Sequence, residues 1–169
     1  MFKLLMATSA LFISSSTVFA QDEKPFNGPY IGGELGILDS RAYYGGIAGY
    51  RVQNSSDWVF GLEGSVGKYD PESGDTFDQS FSEYSASVIA GKAMGNSLLF
   101  ATTGINVLDS RFSSDRFGTT NSSDTGFKIG GGYEYKCSKN FSIRAKGEYL
   151  KHGSSADDLK GTLSVMVSF

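Results

Sequence analysis

Between Trp58 and Tyr69 the chain alternates in steps of two: Trp58, Phe60, Leu62 and Val66 are apolar, while Gly61, Glu63, Ser65 and Gly67 between them are small or charged. In a β-strand successive side chains point to opposite faces, so this segment is predicted as a strand with one apolar and one polar side. The same period recurs along the chain. Gly28 to Leu38 sets Ile31, Gly33, Leu35 and Ile37 against Tyr30, Gly32, Glu34 and Gly36; Tyr43 to Val52 sets Tyr44, Ala48, Tyr50 and Val52 against Gly45, Ile47, Gly49 and Arg51. Glu83 to Met94 opposes Tyr84, Ala86, Val88 and Ala90 to Ser85, Ser87, Ile89 and Gly91. Leu98 to Leu108 turns Leu99, Ala101, Thr103, Ile105 and Val107 to the apolar side.

The sharpest pair follows. Phe127, Ile129, Gly131, Tyr133 and Tyr135 alternate with Lys128, Gly130, Gly132, Glu134 and Lys136. After the turn Cys137-Ser138-Lys139-Asn140, Phe141, Ile143, Ala145, Gly147 and Tyr149 alternate with Ser142, Arg144, Lys146 and Glu148. Every charge within these two strands falls on one face. The last strand, Lys160 to Phe169, places Leu163, Val165, Val167 and Phe169 opposite Ser164, Met166 and Ser168.

Eight such segments of about ten residues match the length a tilted strand needs to cross the roughly 25 Å apolar band of a bilayer. Connections after the second, fourth and sixth strands are short. Those after the third, fifth and seventh are longer: Asp70 to Ser82, Asp109 to Asp124 and Lys151 to Leu159. The first outer connection, Asp39 to Ala42, is short. An even strand number brings both termini to the side of the short turns, the periplasmic side in barrels of this design. The predicted fold is therefore all-β, an eight-stranded antiparallel up-and-down transmembrane β-barrel with short periplasmic turns and longer external loops.

The ends of the chain agree with export. Lys3, the mostly apolar run Leu4 to Ile13 and the small-x-Ala pattern Val18-Phe19-Ala20 read as a secretory signal at 1–20, cleaved near Ala20. Residues 21–27 are then a short periplasmic N-terminal segment and 28–169 the barrel, placed in the outer membrane of a Gram-negative cell. The terminal set Leu163, Val165, Val167 and Phe169 reads as an assembly signal. No peptidoglycan-binding domain follows Phe169, so a link to the cell wall is expected to go through a partner.

Composition narrows the function. A mean hydropathy of -0.18 fits strands that turn every second residue to a polar lumen. Aromatics make up 14% of the chain, with 22 glycines against 3 prolines, which favours strands with tight bends. Formal charge is -3, and it falls by one more when Lys3 leaves with the signal, because all 18 acids lie beyond Ala20; nucleic acid is not an expected partner. The single Cys137 excludes an internal disulfide and is read as an incidental thiol, although Lys136 and Lys139 flank it. A soluble lipocalin-like barrel would carry its charges outside and its apolar face inside, the reverse of the parity here.

Nine charged residues share the inward parity: Glu34, Arg51, Glu63, Lys128, Glu134, Lys136, Arg144, Lys146 and Glu148. In a barrel this narrow they are expected to pair and plug the lumen rather than line an open pore. Tyr50, Trp58, Tyr135 and Phe141 are expected to anchor at the membrane interface. Phe77, Phe81, Phe112 and Phe117 fall in the predicted external loops and are candidates for contact with an outside ligand. The acids Asp70, Glu72, Asp75 and Asp78 lack the spacing of a calcium loop, and no metal or cofactor is expected. The sequons Asn54-Ser55-Ser56 and Asn121-Ser122-Ser123 are matches of a kind common by chance.

The run Gly28-Pro29-Tyr30-Ile31-Gly32-Gly33, then Gly49-Tyr50, Gly61-Leu62-Glu63-Gly64, Gly130-Gly131-Gly132-Tyr133-Glu134-Tyr135, Ile143-Arg144-Ala145-Lys146 with Tyr149, and the terminal Phe169, resembles the small eight-stranded outer-membrane proteins of the opacity and OmpA-like surface-antigen type. The resemblance implies a non-enzymatic barrel with a structural, envelope-integrity role and interacting surface loops, or alternatively an adhesin or host-interaction antigen. It implies contact with outer-membrane lipid and lipopolysaccharide, and insertion by periplasmic chaperones and the barrel-assembly machinery. A narrow porin is a lesser expectation. So is a lipid A-modifying enzyme: eight-stranded deacylases use a His-x-Ser arrangement, and His152-Gly153-Ser154 offers one with Asp157 and Asp158 nearby, but Ser155 stands where that family has Asn.

Overall fold

The computed structural model describes residues 24–39, 41–69, 79–114, 118–152 and 157–169. The expected signal at 1–20, with Phe77 and Phe117, lies outside them. Eight antiparallel strands close into one barrel in sequence order: β1 (Gly28–Leu38), β2 (Arg41–Gln53), β3 (Trp58–Tyr69), β4 (Gln79–Met94), β5 (Ser97–Ser114), β6 (Gly118–Lys136), β7 (Phe141–His152) and β8 (Asp158–Ser168). Closure pairs β1 with β8, from Tyr30 opposite Ser168 to Leu38 opposite Lys160, so no sheet edge is left in the membrane-spanning part.

Alternation decides which side chains face lipid. Leu35, Leu62 and Leu163 are about two-thirds exposed on the outer wall, while their strand neighbours Glu34, Glu63 and Ser164 are buried inside. On β5 the outward set is Leu99, Ala101 and Ile105, with Leu98, Phe100 and Thr102 buried. Three apolar or aromatic clusters stack within the lumen. Phe26, Val59, Ile89, Ala93, Leu98 and Phe100 fill the periplasmic end. Tyr30, Ile47 and Met166 form a second cluster. Leu38, Tyr43, Tyr69 and Leu150, with Leu108 against them, fill the external end.

The periplasmic turns are made by local hydrogen bonding. In the β2–β3 turn the Asn54 carboxamide oxygen accepts from the N–H groups of Ser56 and Trp58, both at 2.9 Å, and Asp57 takes a positive φ of 60°. Gly95 and Asn96 alone join β4 to β5, with Gly95 at φ 61°. At the external end Asp39 adopts φ 42°, and a proton shared with the Asp158 carboxyl, together with the Leu159 N–H that donates to it, holds its carboxyl below the usual carboxylate range.

Two expectations need correction. Asp109 to Asp124 is not a loop: β5 runs on to Ser114 and β6 begins at Gly118, in register from Asp109 opposite Ser123 to Ser114 opposite Gly118. Likewise β4 starts at Gln79, so Phe81 and Phe112 sit in strands rather than loops, Phe81 opposite Tyr69 and Ser110, Phe112 opposite Gln79 and Thr120. Serine, threonine and asparagine dominate these extensions and hide their period, and the ladder between the two strands carries it instead. The described part of the N-terminal segment reaches into the barrel, where Phe26 is fully buried in the mouth.

Some inward glycines make room for inward tyrosines. A Cβ on Gly49 would lie 2.5 Å from the Tyr30 ring and 2.6 Å from the Leu62 carbonyl oxygen, whereas one on Gly147, on the lipid side, would meet nothing within 4 Å. Gly49→Ala is expected to destabilise the barrel by about 1–3 kcal/mol, and Gly147→Ala to leave it unchanged or slightly firmer. Urea titration of the folded, boiling-sensitive gel band of both variants measures the difference.

Candidate functional site: the lumen charge network

Strand parity turns the nine predicted charged residues into the lumen, where each is at most 6% exposed. Their heights then sort them into partners. Arg51 on β2 makes a two-pronged contact with Glu134 on β6, at 2.6 and 2.9 Å. Arg144 on β7 donates to the same Glu134 through Nη2 at 3.0 Å and Nε at 3.2 Å, and through Nη1 to Glu63 on β3. Lys146 on β7 stands 3.4 Å from Glu63, 3.7 Å from Glu34 and 3.3 Å from Glu148. Lys128 closes the series, 3.1 Å from Glu148 and 2.8 Å from the Ser85 hydroxyl. Arg51, Glu134, Arg144, Glu63, Lys146, Glu148 and Lys128 thus form one unbroken chain of alternating sign.

Tyrosines complete it. Tyr30 donates to Glu63 at 2.7 Å, on the oxygen it shares with Arg144, and Tyr43 donates at 2.7 Å to the Glu34 oxygen that Lys146 does not face. The Arg51 guanidinium lies 4.4 Å from the Tyr30 ring centroid and that of Arg144 4.9 Å from the Phe100 ring, so the flat faces of both cations are covered by π systems. Lys136, the ninth predicted residue, stands apart in the periplasmic mouth and donates to the Lys139 carbonyl at 3.0 Å.

Two members were missed. Glu83 on β4 and Lys160 on β8 pair at 3.0 Å, Glu83 also accepts from the Tyr69 hydroxyl, and the Lys160 ammonium sits 3.6 Å from the Tyr43 ring centroid. Both stand at the first position of their predicted strands, and both share the parity of the Ser and Thr residues that follow them. Extending the alternation to those end residues would have placed them inside.

The predicted interface aromatics lie on the outer wall at the periplasmic end: Tyr50, Trp58, Tyr135 and Phe141 are all about half exposed, and Lys92 lies 5.6 Å from the Trp58 ring centroid. Leu163, Val165 and Phe169 face outward, and Val167 is partly covered. Cys137 is an exposed free thiol in the β6–β7 turn. Among the described residues no group of His, Cys, Asp and Glu is arranged to hold a metal ion. His152 ends β7 opposite Gly126, and its proposed partner Ser154 lies outside the described residues.

A closed antiparallel eight-stranded barrel, apolar outside and ionic inside, defines the class of small outer-membrane barrels. The sequence agrees: residues 8–169 match the outer membrane protein beta-barrel domain, and the chain belongs to that family. Among solved structures it is similar to the N-terminal beta-barrel domain of Pseudomonas aeruginosa OprF (20% identity, 85% of this chain and 98% of that one, TM-score 0.66). It is also similar to Neisserial surface protein A (15%, 85% and 98%, 0.64) and to the attachment invasion locus protein Ail of Yersinia pestis (21%, 85% and 99%, 0.63). In another structure, at 25% identity, TM-score 0.59 and coverage of 83% and 94%, Ail is in complex with the heparin analogue sucrose octasulfate. No curated protein sequence matches the chain.

Removing one partner of a buried pair leaves an uncompensated charge, at a cost of about 3–5 kcal/mol, whereas removing both and filling the space is close to neutral. Lys160→Met alone is therefore expected to lower the urea midpoint markedly, and Lys160→Met with Glu83→Met to recover most of the loss. A double-mutant cycle on the folded band, with Glu83→Met as the other single variant, reads this directly; a double-variant loss equal to the sum of the two single losses would show that the pair is not coupled.

Proposed function

We propose that the protein is a non-enzymatic, non-conducting outer-membrane barrel that supports envelope integrity and offers its external strands and loops for interaction. It is exported on a signal cleaved near Ala20, recognised by the assembly machinery through Leu163, Val165, Val167 and Phe169, and anchored at the periplasmic interface by Tyr50, Trp58, Tyr135 and Phe141. The observation that carries this reading is the occupied lumen: a continuous ion-pair chain with an apolar cluster at each mouth. An ion entering it would have to displace paired charges in a low-dielectric space.

A second reading, adhesin or surface antigen, is favoured by the projecting strands. β6 continues from Thr125 back to Gly118 beyond the last residue paired with β7, carrying β5 and the start of β4 with it.

Two measurements test the reading. Purified protein in a planar bilayer is expected to give no conductance steps, and reproducible openings in the wild type would overturn the closed-lumen assignment. His152→Ala is expected to leave the lipid A of expressing cells unchanged by mass spectrometry; loss of a modification that the wild type installs would establish an enzyme.

A further inference from the structure

The residues just before β1 are held inside the barrel rather than beneath it. Lys24 to Asn27 form a tight turn, with the Asn27 N–H bonded to the Lys24 carbonyl at 3.2 Å, and Gly28 takes φ 107°, a conformation that side-chain-bearing residues rarely adopt. That backbone turn swings the chain out of the β1 direction and back across the mouth. Gln53 at the end of β2 clips it there: its side-chain oxygen accepts the Phe26 N–H at 3.1 Å, and its own N–H donates to the Asn27 carboxamide oxygen at 3.4 Å.

The side chain so delivered is fully buried. The Phe26 ring occupies a pocket made by Val59, Ile89, Ala93, Leu98 and Phe100, with the Arg51 guanidinium 5.2 Å and the Lys136 ammonium 6.0 Å from its centroid. Inward residues of β3, β4 and β5 thus supply an apolar seat, and two cations supply its charged side. Nothing in the alternation of β1 requires this, because Phe26 precedes the strand.

From this we infer that Phe26 is a stopper for the periplasmic mouth, seated by its own binding pocket, and that withdrawing it exposes a cationic vestibule formed by Arg51 and Lys136. Arg51 is the first link of the ion-pair chain, so the stopper also shields that chain from periplasmic water. The exposed vestibule takes small anions in preference to cations, because Glu134, the acid that faces Arg51, is shared with Arg144, and Asp57 in the β2–β3 turn is engaged by the Gln53 side-chain amide at 3.1 Å. The stopper stands independently of whether the barrel acts through its loops.

Thiol accessibility tests it. In a Cys137→Ser background, Ala93→Cys places the chain's one thiol in the Phe26 seat, and labelling is scored only in the folded, unboiled band. With Phe26 present, an anionic sulfonate-bearing methanethiosulfonate reagent is expected to react slowly. With Phe26→Ala the rate is expected to rise about tenfold or more, since reaction follows the population of the open form, and, with each reagent's rate divided by its rate on a free thiol in solution, the anionic reagent should outpace its trimethylammonium counterpart. Phe26→Leu, which keeps an apolar plug, is expected to stay slow. Should Phe26→Ala fail to fold, Gln53→Ala, which removes the clip and keeps the ring, carries the same expectation of faster labelling. Equal rates with and without the ring or its clip, whether fast or slow, overturn the stopper, and a faster cationic reagent overturns the cationic vestibule.

Discussion

Arg144 holds the barrel's cross-section. Its guanidinium reaches Glu134 on the neighbouring strand β6 and Glu63 on β3, the strand directly opposite β7 in a ring of eight. Two other contacts have the same geometry: Arg51 to Glu134 joins β2 to β6, and Lys160 to Glu83 joins β4 to β8. Three of the four opposed strand pairs are therefore pinned across the lumen by a charge pair. Hydrogen bonds between adjacent strands fix the register around the wall, but they leave a ring free to flatten. Struts across the diameter remove that freedom, and because each charge is desolvated the geometry must be kept for the pairs to be tolerated.

The bilayer explains why the polar groups are inside at all. A spanning strand must satisfy its backbone within a closed ladder and present side chains that lipid accepts, so half of every strand is committed to apolar residues and the other half is confined to a space about one side chain wide. Filling that space with apolar groups on both faces would make each strand a continuous hydrophobic run, a poor substrate for export through an aqueous periplasm. Charged residues keep the chain's mean hydropathy near zero and still pack. Their long stems and the tyrosine rings fill volume, and glycines such as Gly49 and Gly67 give up theirs so that Tyr30 and Tyr43 can lie flat against the wall.

Much of this was legible in the chain. Parity assigned the two faces of β3, β6 and β7 because charges and large apolar residues alternate through the middle of each strand, with exceptions such as Val59, Lys68 and Leu150 only toward the ends. Parity says only that a residue points inward, however. Which base meets which acid depends on the stagger between strands, a property of the closed ring, so the pairing of Arg144 with a glutamate 81 positions away had no local signal. The same limit hid Glu83 and Lys160, which stand at strand ends where alternation has no flank on one side. The extensions of β5 and β6 were illegible for another reason: outside the membrane neither face needs to be apolar, and the ladder between the two strands continues through a Ser/Thr/Asn run.

The distribution of polarity along the barrel axis then separates the roles of its parts. Apolar clusters at the two mouths keep water from the ionic middle, where hydration would weaken each pair by raising the local dielectric. A lumen arranged this way is rigid, which is why we propose that it carries no solutes. Beyond the lipid band and the lumen lie the projecting ends of β4, β5 and β6. A rigid ring fixes the base of those strand ends, and we propose that the interior chemistry serves the exterior one in this way, by holding still.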